Sequence, residues 1–537
     1  MEIIYRKNGK KYKIKESNDD LFIDVHIVNN RTIVKLIANE DVELIKAKDS
    51  IPFNITLKDR YFLNGYQSWT DTNEYSVLKR LRNINKSPHI IVHKYAMKAY
   101  GDSLFYKYSI RKLHGYDVFY SKGQNESFIF NLNYKNAYLL VEIIKGKNQL
   151  FLTSDVNGIS LDKGESIVVF DYYFSNNYHS GLEAFNSYFP KKELPKIFGY
   201  TSWYNHYQNI NEDILSNDLE ALDDRFDLFQ IDDGYQTFVG DWLDVDKNKF
   251  PNGLEPIVQQ IHQKGLKAGI WLAPFVVEKN SYVFNNHQDW IKKDYKGKLV
   301  RAGGNWSGQY ALDLDNKEVK EYIKDCLLNY VEMGFDFFKL DFLYAAGIVP
   351  SEGKSRAQTQ REVYEFLREV LKGKIILGCG ANIVNSIDNF DYLRIGPDVS
   401  LYFDDVFFMR LFHRERISTK VTIQNTIYRS LFNQRFFGND PDVFLLRDDN
   451  ISLNKEQKLA LATVNALFGN ILMTSDNIAS YDEEKKQILD NTLRLFKQSM
   501  VTCFYKNRDI IHVDYEVDGV GDQFNYNTRK GAFEYDR

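Results

Sequence analysis

The chain has 537 residues, which at about 100–200 residues per domain predicts two to four domains, or one large barrel with attachments. Its 69 Lys and Arg against 73 Asp and Glu leave a net charge of −4, which gives no counterion-release drive toward a polyanion and excludes nucleic acid as the main partner. Aromatic residues reach 15 % (Tyr 36, Phe 38, Trp 6); most are expected in the core, although a flat ring also suits a sugar face.

The N-terminus, Met1-Glu2-Ile3-Ile4-Tyr5-Arg6-Lys7, is charged at once and opens no apolar run of signal length. Nowhere do about 18 apolar residues follow one another, so no membrane is expected. Cys326, Cys379 and Cys503 are odd in number and far apart, forming neither a disulfide framework nor a metal-ligand spacing, and a cytoplasmic setting is expected. Residues 1–190 read as short strands (21–28, 32–38, 127–132, 138–144, 166–174) between Gly, Asn, Asp and Lys turns, the pattern of a β-sandwich.

From Pro190 and Pro195 onward, apolar runs alternate with helical periods. Eight strands are expected at 198–203, 228–233, 266–273, 335–342, 374–379, 392–396, 442–446 and 471–475, the number a (β/α)₈ barrel needs. Leu254, Ile257, Val258 and Ile261 keep helical spacing, as do Val319, Ile323, Cys326, Leu327 and Tyr330, which makes Cys326 a core residue. The fold class is therefore α/β, a TIM barrel over 191–481. A helix over 482–499 then leads into a small sheet that ends the chain, 482–537.

In such a barrel the strand ends form the reactive face, and here they carry Asp232, Asp233, Asp341, Asp398, Asp440, Asp442 and Asp476. A single strand-end Asp also suits a turn or a helix cap; their recurrence on successive strands is what points to chemistry. The two-residue period sends Lys339 and Asp341 to one side, and Arg394 and Asp398 likewise. Two carboxylates flanked by cations suit retaining glycoside hydrolysis, which uses a nucleophile and an acid/base roughly 5–5.5 Å apart. Asp341 beside Lys339 suits the nucleophile, and Asp398, with no adjacent cation in the sequence, the acid/base. A Mg²⁺ site built from the same carboxylates is the rival chemistry.

At these residues the chain resembles glycoside hydrolase family 36, the α-galactosidases of the clan that also holds family 27. The marks are Trp203-Tyr204, Gln230-Ile231-Asp232-Asp233-Gly234-Tyr235, Gly269-Ile270-Trp271-Leu272-Ala273-Pro274-Phe275, Lys339-Leu340-Asp341-Phe342, Gly378-Cys379-Gly380, Arg394-Ile395-Gly396-Pro397-Asp398 and Asn439-Asp440-Pro441-Asp442. The resemblance implies Asp341 as nucleophile and Asp398 as acid/base, with Asp232 and Asp233 holding the 4- and 6-hydroxyls of galactose. It further implies Lys339 and Arg394 around the ring hydroxyls, Trp271 and Trp203 as pocket walls, and Cys379 beside the sugar's 2-position. Asn64-Gly65-Tyr66-Gln67-Ser68-Trp69 resembles the loop that lends an aromatic residue, Trp69, to the pocket.

The expected activity is thus a retaining exo-α-galactosidase acting on melibiose- or raffinose-type oligosaccharides, with no cofactor and no metal. α-N-acetylgalactosaminidase and α-galactosyl transfer remain open, because Ala381-Asn382 and Ile383-Val384-Asn385-Ser386 depart from the family near the 2-position. Relatives often assemble, so a homo-oligomer is compatible with the resemblance.

Overall fold

Alternating burial organises the first 175 residues of the computed structural model, which describes residues 1–534. In the strand Arg31–Ala38 the side chains of Val34, Leu36 and Ala38 are buried at a period of two, as expected where one face of a sheet meets a core. Two antiparallel sheets result. One runs through Glu2–Lys7, Val42–Pro52, Gln149–Ser154 and Leu139–Ile144, and the other from Leu21–Val28 to Asn73–Tyr75. Tyr5, Leu36, Phe119, Ile129, Val141 and Leu152 belong to the core between them, so the expected sandwich is present.

The barrel strands are Ile197–Thr201, Leu228–Ile231, Lys267–Leu272, Phe337–Leu340, Ile375–Gly378, Tyr392–Arg394, a split seventh, and Ile471–Thr474. All pair in parallel. The seventh strand differs from its expected position at 442–446. It starts at Gly438–Asp440, breaks at Pro441 and Asp442, and resumes as Val443–Phe444. Proline gives no ladder donor, and Asp442 adopts a left-handed φ of 73°. The first piece pairs with strand six and the second with strand eight, so the two ends of the sheet are halves of one strand and the barrel closes.

The helices bury the faces their spacing predicted: Ile257, Val258 and Ile261 in Glu255–Gln263, and Val319, Ile323, Cys326, Leu327 and Tyr330 in Lys317–Glu332. Between strands three and four a small sheet (Val276–Glu278, Arg301–Gly303, Gln309–Ala311) rises over the barrel mouth. At the C-terminus, Glu483–Gln498, capped by Asp482, leads into a four-stranded antiparallel sheet from Ser499–Asn507 to Ala532–Glu534. The expected end of that region, 535–537, lies outside the described residues. No helix among the described residues is long and apolar enough to cross a membrane.

The sandwich is latched to the barrel through the loop that carries Trp69. Ser68 N–H donates to the Ala381 carbonyl at 2.9 Å, and Asn382 Nδ2 donates to the Tyr66 carbonyl at 2.7 Å. Arg429, fully buried, donates to Asn64 Oδ1 (3.1 Å), to the carbonyls of Gln67 (3.0 Å) and Ile395 (2.7 Å), and to that of Ser68. The segment 381–386 is thereby buried at this junction, and Asn385 donates to the Tyr138 hydroxyl and the Ala357 carbonyl, both at 2.8 Å.

Candidate active site

Trp271 and Lys339 are in register on neighbouring strands, and both reach into the barrel. The Trp271 indole N–H donates to Asp341 Oδ2 at 3.1 Å, while Lys339 Nζ donates to Asp232 Oδ2 at 2.7 Å. The other Asp341 oxygen accepts from the N–H of Phe342 at 2.7 Å. Phe342 holds a left-handed φ of 55°, a conformation that costs a non-glycine residue about 1–2 kcal/mol. Observed backbone strain beside a cleft carboxylate motivates a functional reading of that carboxylate. Burial pulls the Lys339 ammonium down, but Asp232 and then Asp341 outweigh it, so its proton is held more tightly than usual.

Asp232 and Asp233 stand just past the second strand. Asp232 Oδ2 also accepts from Gln230 Nε2 at 2.7 Å. Asp233 accepts from Gln236 (2.5 Å), Gln208 (2.9 Å) and the indole of Trp306 (2.9 Å). Burial pushes the Asp233 carboxyl above its ordinary range against those bonds. Gly234 is a positional requirement: its φ is +124°, and an added Cβ would sit 2.7 Å from the backbone of Gln208, the residue whose side chain reaches Asp233.

Arg394 is the main correction to the site. The sequence gives Asp398 no adjacent cation, yet Arg394 Nη1 donates to Asp398 Oδ1 at 3.1 Å, Nε to Asp440 Oδ2 at 2.8 Å, and Nη2 lies 2.9 Å from Asp442 Oδ1. One buried guanidinium thus ties three carboxylates together behind the cleft. Asp398 keeps 37 % of its side chain open, but open to the cleft rather than to bulk water. Desolvation therefore leads, Asp442 adds to it, and the carboxyl is pushed up to about 7 although Arg394 opposes. Asp476 has a structural role, accepting from the backbone of Leu446 (2.5 Å) and Arg447 (3.0 Å) and from the Tyr481 hydroxyl (2.6 Å).

The cleft has two lobes that share Asp341, Phe342, Asp398, Asn305 and Ile417. The first, about 570 Å³, is lined by Trp203, Trp271, Trp306, Asp232, Asp233 and Lys339. The second, about 380 Å³, is lined by Trp69. The three expected tryptophans therefore do not form one wall. Trp69 packs edge-on against Phe342 (5.4 Å between ring centroids, 85°), and Phe342 in turn against Trp306 (5.4 Å), so the Phe342 ring divides the lobes.

Trp203 opens a short helix just past strand one rather than ending the strand. Cys379 is buried, and its Sγ accepts from the Trp69 indole at 3.4 Å; burial pushes its thiol well above the usual value. Gly380, at φ +64°, lets the Trp69 ring approach to 3.1 Å of where a Cβ would stand. Trp306 was not among the expected site residues. It sits at φ 52° in the irregular turn of the small sheet, where no periodicity marks it.

A sequence profile described as melibiase matches residues 171–372. The α-galactosidase of Escherichia coli is 29 % identical over 209 residues, 37 % of this chain and 28 % of that protein, so the match spans well under a third of the relative's length. Among solved structures, TtGalA, an α-galactosidase from Thermus thermophilus in complex with stachyose, superposes with a TM-score of 0.70 at 26 % identity, covering 90 % of this chain and 98 % of that one. The family 36 α-galactosidase AgaA from Geobacillus stearothermophilus superposes with a TM-score of 0.59 at 14 % identity, over 90 % of this chain and 71 % of that one, a likeness of fold.

Proposed function

We propose that the chain is a family 36 α-galactosidase, and that it is a retaining exo-enzyme acting through a covalent galactosyl ester on Asp341. The observation that carries this reading is a pair of carboxylates, Asp341 and Asp398, on the rim shared by both lobes but in different surroundings. Asp341 accepts an N–H bond on each oxygen, from Trp271 and from Phe342, which fixes the orientation a nucleophile needs. Asp398, held up to about 7, retains a proton to give away near neutrality. A carboxyl raised in this way beside a second carboxylate held by N–H donors supports the assignment of Asp398 as the acid.

In the first step an Asp341 oxygen attacks the anomeric carbon as Asp398 protonates the departing oxygen. In the second, Asp398 takes a proton from water, which displaces Asp341 from the sugar. Asp232, Asp233 and Lys339 offer acceptors and a cation to the hydroxyls of one galactose in the first lobe, and Trp203, Trp271 and Trp306 offer ring faces. Stachyose bound to the Thermus relative supports terminal α-galactosides as the substrate class. Residues 381–386 are buried beneath the sandwich and line neither lobe, which removes the sequence argument for an enlarged 2-position pocket.

Turnover of matched nitrophenyl α-galactoside, α-N-acetylgalactosaminide and α-glucoside in EDTA tests this. The galactoside should lead by at least a hundredfold with full activity in chelator. Loss of turnover in EDTA would favour the carboxylate–Mg²⁺ chemistry, and a preferred glucoside would overturn the assignment.

A further inference from the structure

One galactose accounts for the first lobe and leaves the second unassigned. That second lobe opens from the same two carboxylates, on the far side of the Phe342 ring. Trp69, Tyr95, Met97, Tyr100, Phe408 and Ile417 give it a wall of rings and alkyl groups. Several polar tips of that wall are already engaged: the Trp69 indole donates to Cys379, and the Tyr100 hydroxyl accepts from Gly304 N–H at 3.1 Å. Outside the lobe the apolar surface continues. The helix Phe407–Phe412 buries none of its residues, and Phe407, Leu411 and Ile90 are exposed beside the mouth.

Asn305, Asp405, His413, Glu415 and Arg416 add polar groups to this lobe, and of these Arg416 is engaged by Asp404 at 3.0 Å. Only 2 % of His413 is exposed, and neither of its ring nitrogens has a hydrogen-bond partner among the described residues; Nδ1 lies 3.9 Å from Glu415, beyond bonding distance. Glu415 instead accepts from Thr70 at 2.9 Å. A buried imidazole without a partner is costly unless something else supplies one. A monosaccharide leaving group would set its hydroxyls against the rings and alkyl groups that make up most of the wall, whereas an apolar group with one hydroxyl matches both those groups and the imidazole.

We propose that the second lobe is the leaving-group site, and that it selects an apolar aglycone whose hydroxyl hydrogen-bonds His413. This rests on the α-galactosidase reading above. It makes the sandwich loop and the residues near 95 and 408 the elements that choose which α-galactoside is cleaved.

Methyl and hexyl α-galactoside release alcohols of similar acidity, so their ratio of kcat/KM isolates the lobe from the chemistry. Hexyl should exceed methyl by at least tenfold, since burial of each methylene is favourable. F408S and I417S should each shrink that ratio severalfold; a wild-type ratio near one, or a ratio unchanged in both variants, overturns the proposal. For His413, the 2-, 3- and 4-hydroxyphenyl galactosides are compared with their methylphenyl counterparts. At least one hydroxyl isomer should be preferred severalfold, and H413F should abolish that preference; no preference in any isomer, or one that survives H413F, refutes the hydrogen bond. If no galactose is released even from the methyl glycoside, the α-galactosidase reading itself has failed. If methyl is cleaved without a hexyl advantage, only this inference has.

Discussion

Replacing Asp442 by Asn should move the alkaline limb of the pH profile to lower pH. Asp442 and Asp398 share one guanidinium, with Arg394 nitrogens 2.9 Å and 3.1 Å from them. The Asp398 carboxyl is held up to about 7 by desolvation first and by the Asp442 charge second. Both act by making its ionised form costly, so neutralising Asp442 must make ionisation easier and lower the value. Asn is the suitable probe because it tolerates the left-handed φ of 73° at this position. Its amide oxygen can still accept from Val399 N–H (2.7 Å) and the Tyr204 hydroxyl, both of which bond the same Asp442 oxygen. The new NH₂ then faces Arg394 and turns the guanidinium toward Asp398 and Asp440, which acts in the same direction.

Two unit charges about 4 Å apart interact by about 4 kcal/mol at an effective dielectric of about 20. With about 1.36 kcal/mol per pH unit that is a ceiling near 3 units, and a shift of about 1–2 units is expected once the guanidinium screens the pair. Because the acid must be protonated to act, kcat/KM on melibiose, followed as galactose release from pH 4 to 9, should lose its alkaline limb earlier in D442N. A limb that stays at its wild-type pH, or moves upward, would refute the electrostatic account of Asp398.

Trp306→Phe keeps a ring between Trp271 and Phe342 but removes the indole bond to Asp233. A bond to a charged group is worth about 1.5–3 kcal/mol, so kcat/KM should fall roughly ten- to a hundredfold; an unchanged value would take Asp233 out of substrate binding. Arg429→Met strips the donors from three carbonyls and from Asn64 at the sandwich–barrel latch. Leaving a buried acceptor without its donor costs about 1–3 kcal/mol, which urea unfolding would register as a lower midpoint, and a stability within about 0.5 kcal/mol of wild type would contradict the latch.

The barrel was legible because its signals are local and repeated: apolar runs of strand length, helices at period 3.6, and carboxylates at successive strand ends. Strand seven was misplaced because Pro441 and the left-handed Asp442 split it, and the remaining run at 442–446 looked like the whole strand. Residue parity put Arg394 and Asp398 on one side of strand six, but that the guanidinium would bridge to Asp440 and Asp442 depends on the register with strand seven. Trp69 was readable only through resemblance, since its role depends on a contact across more than 300 residues with Cys379. Trp306 and His413 lie in irregular segments whose position is set by tertiary packing, and no spacing in the sequence marks either one.

The central claim is that Asp341 attacks the sugar while Asp398 supplies the proton, and Asp341→Ala assayed with and without azide tests it most directly. The variant should lose turnover of nitrophenyl α-galactoside by several orders of magnitude and, with azide added, release nitrophenol again while β-galactosyl azide accumulates. Near-normal activity without azide, or azide product of the α configuration, would contradict it.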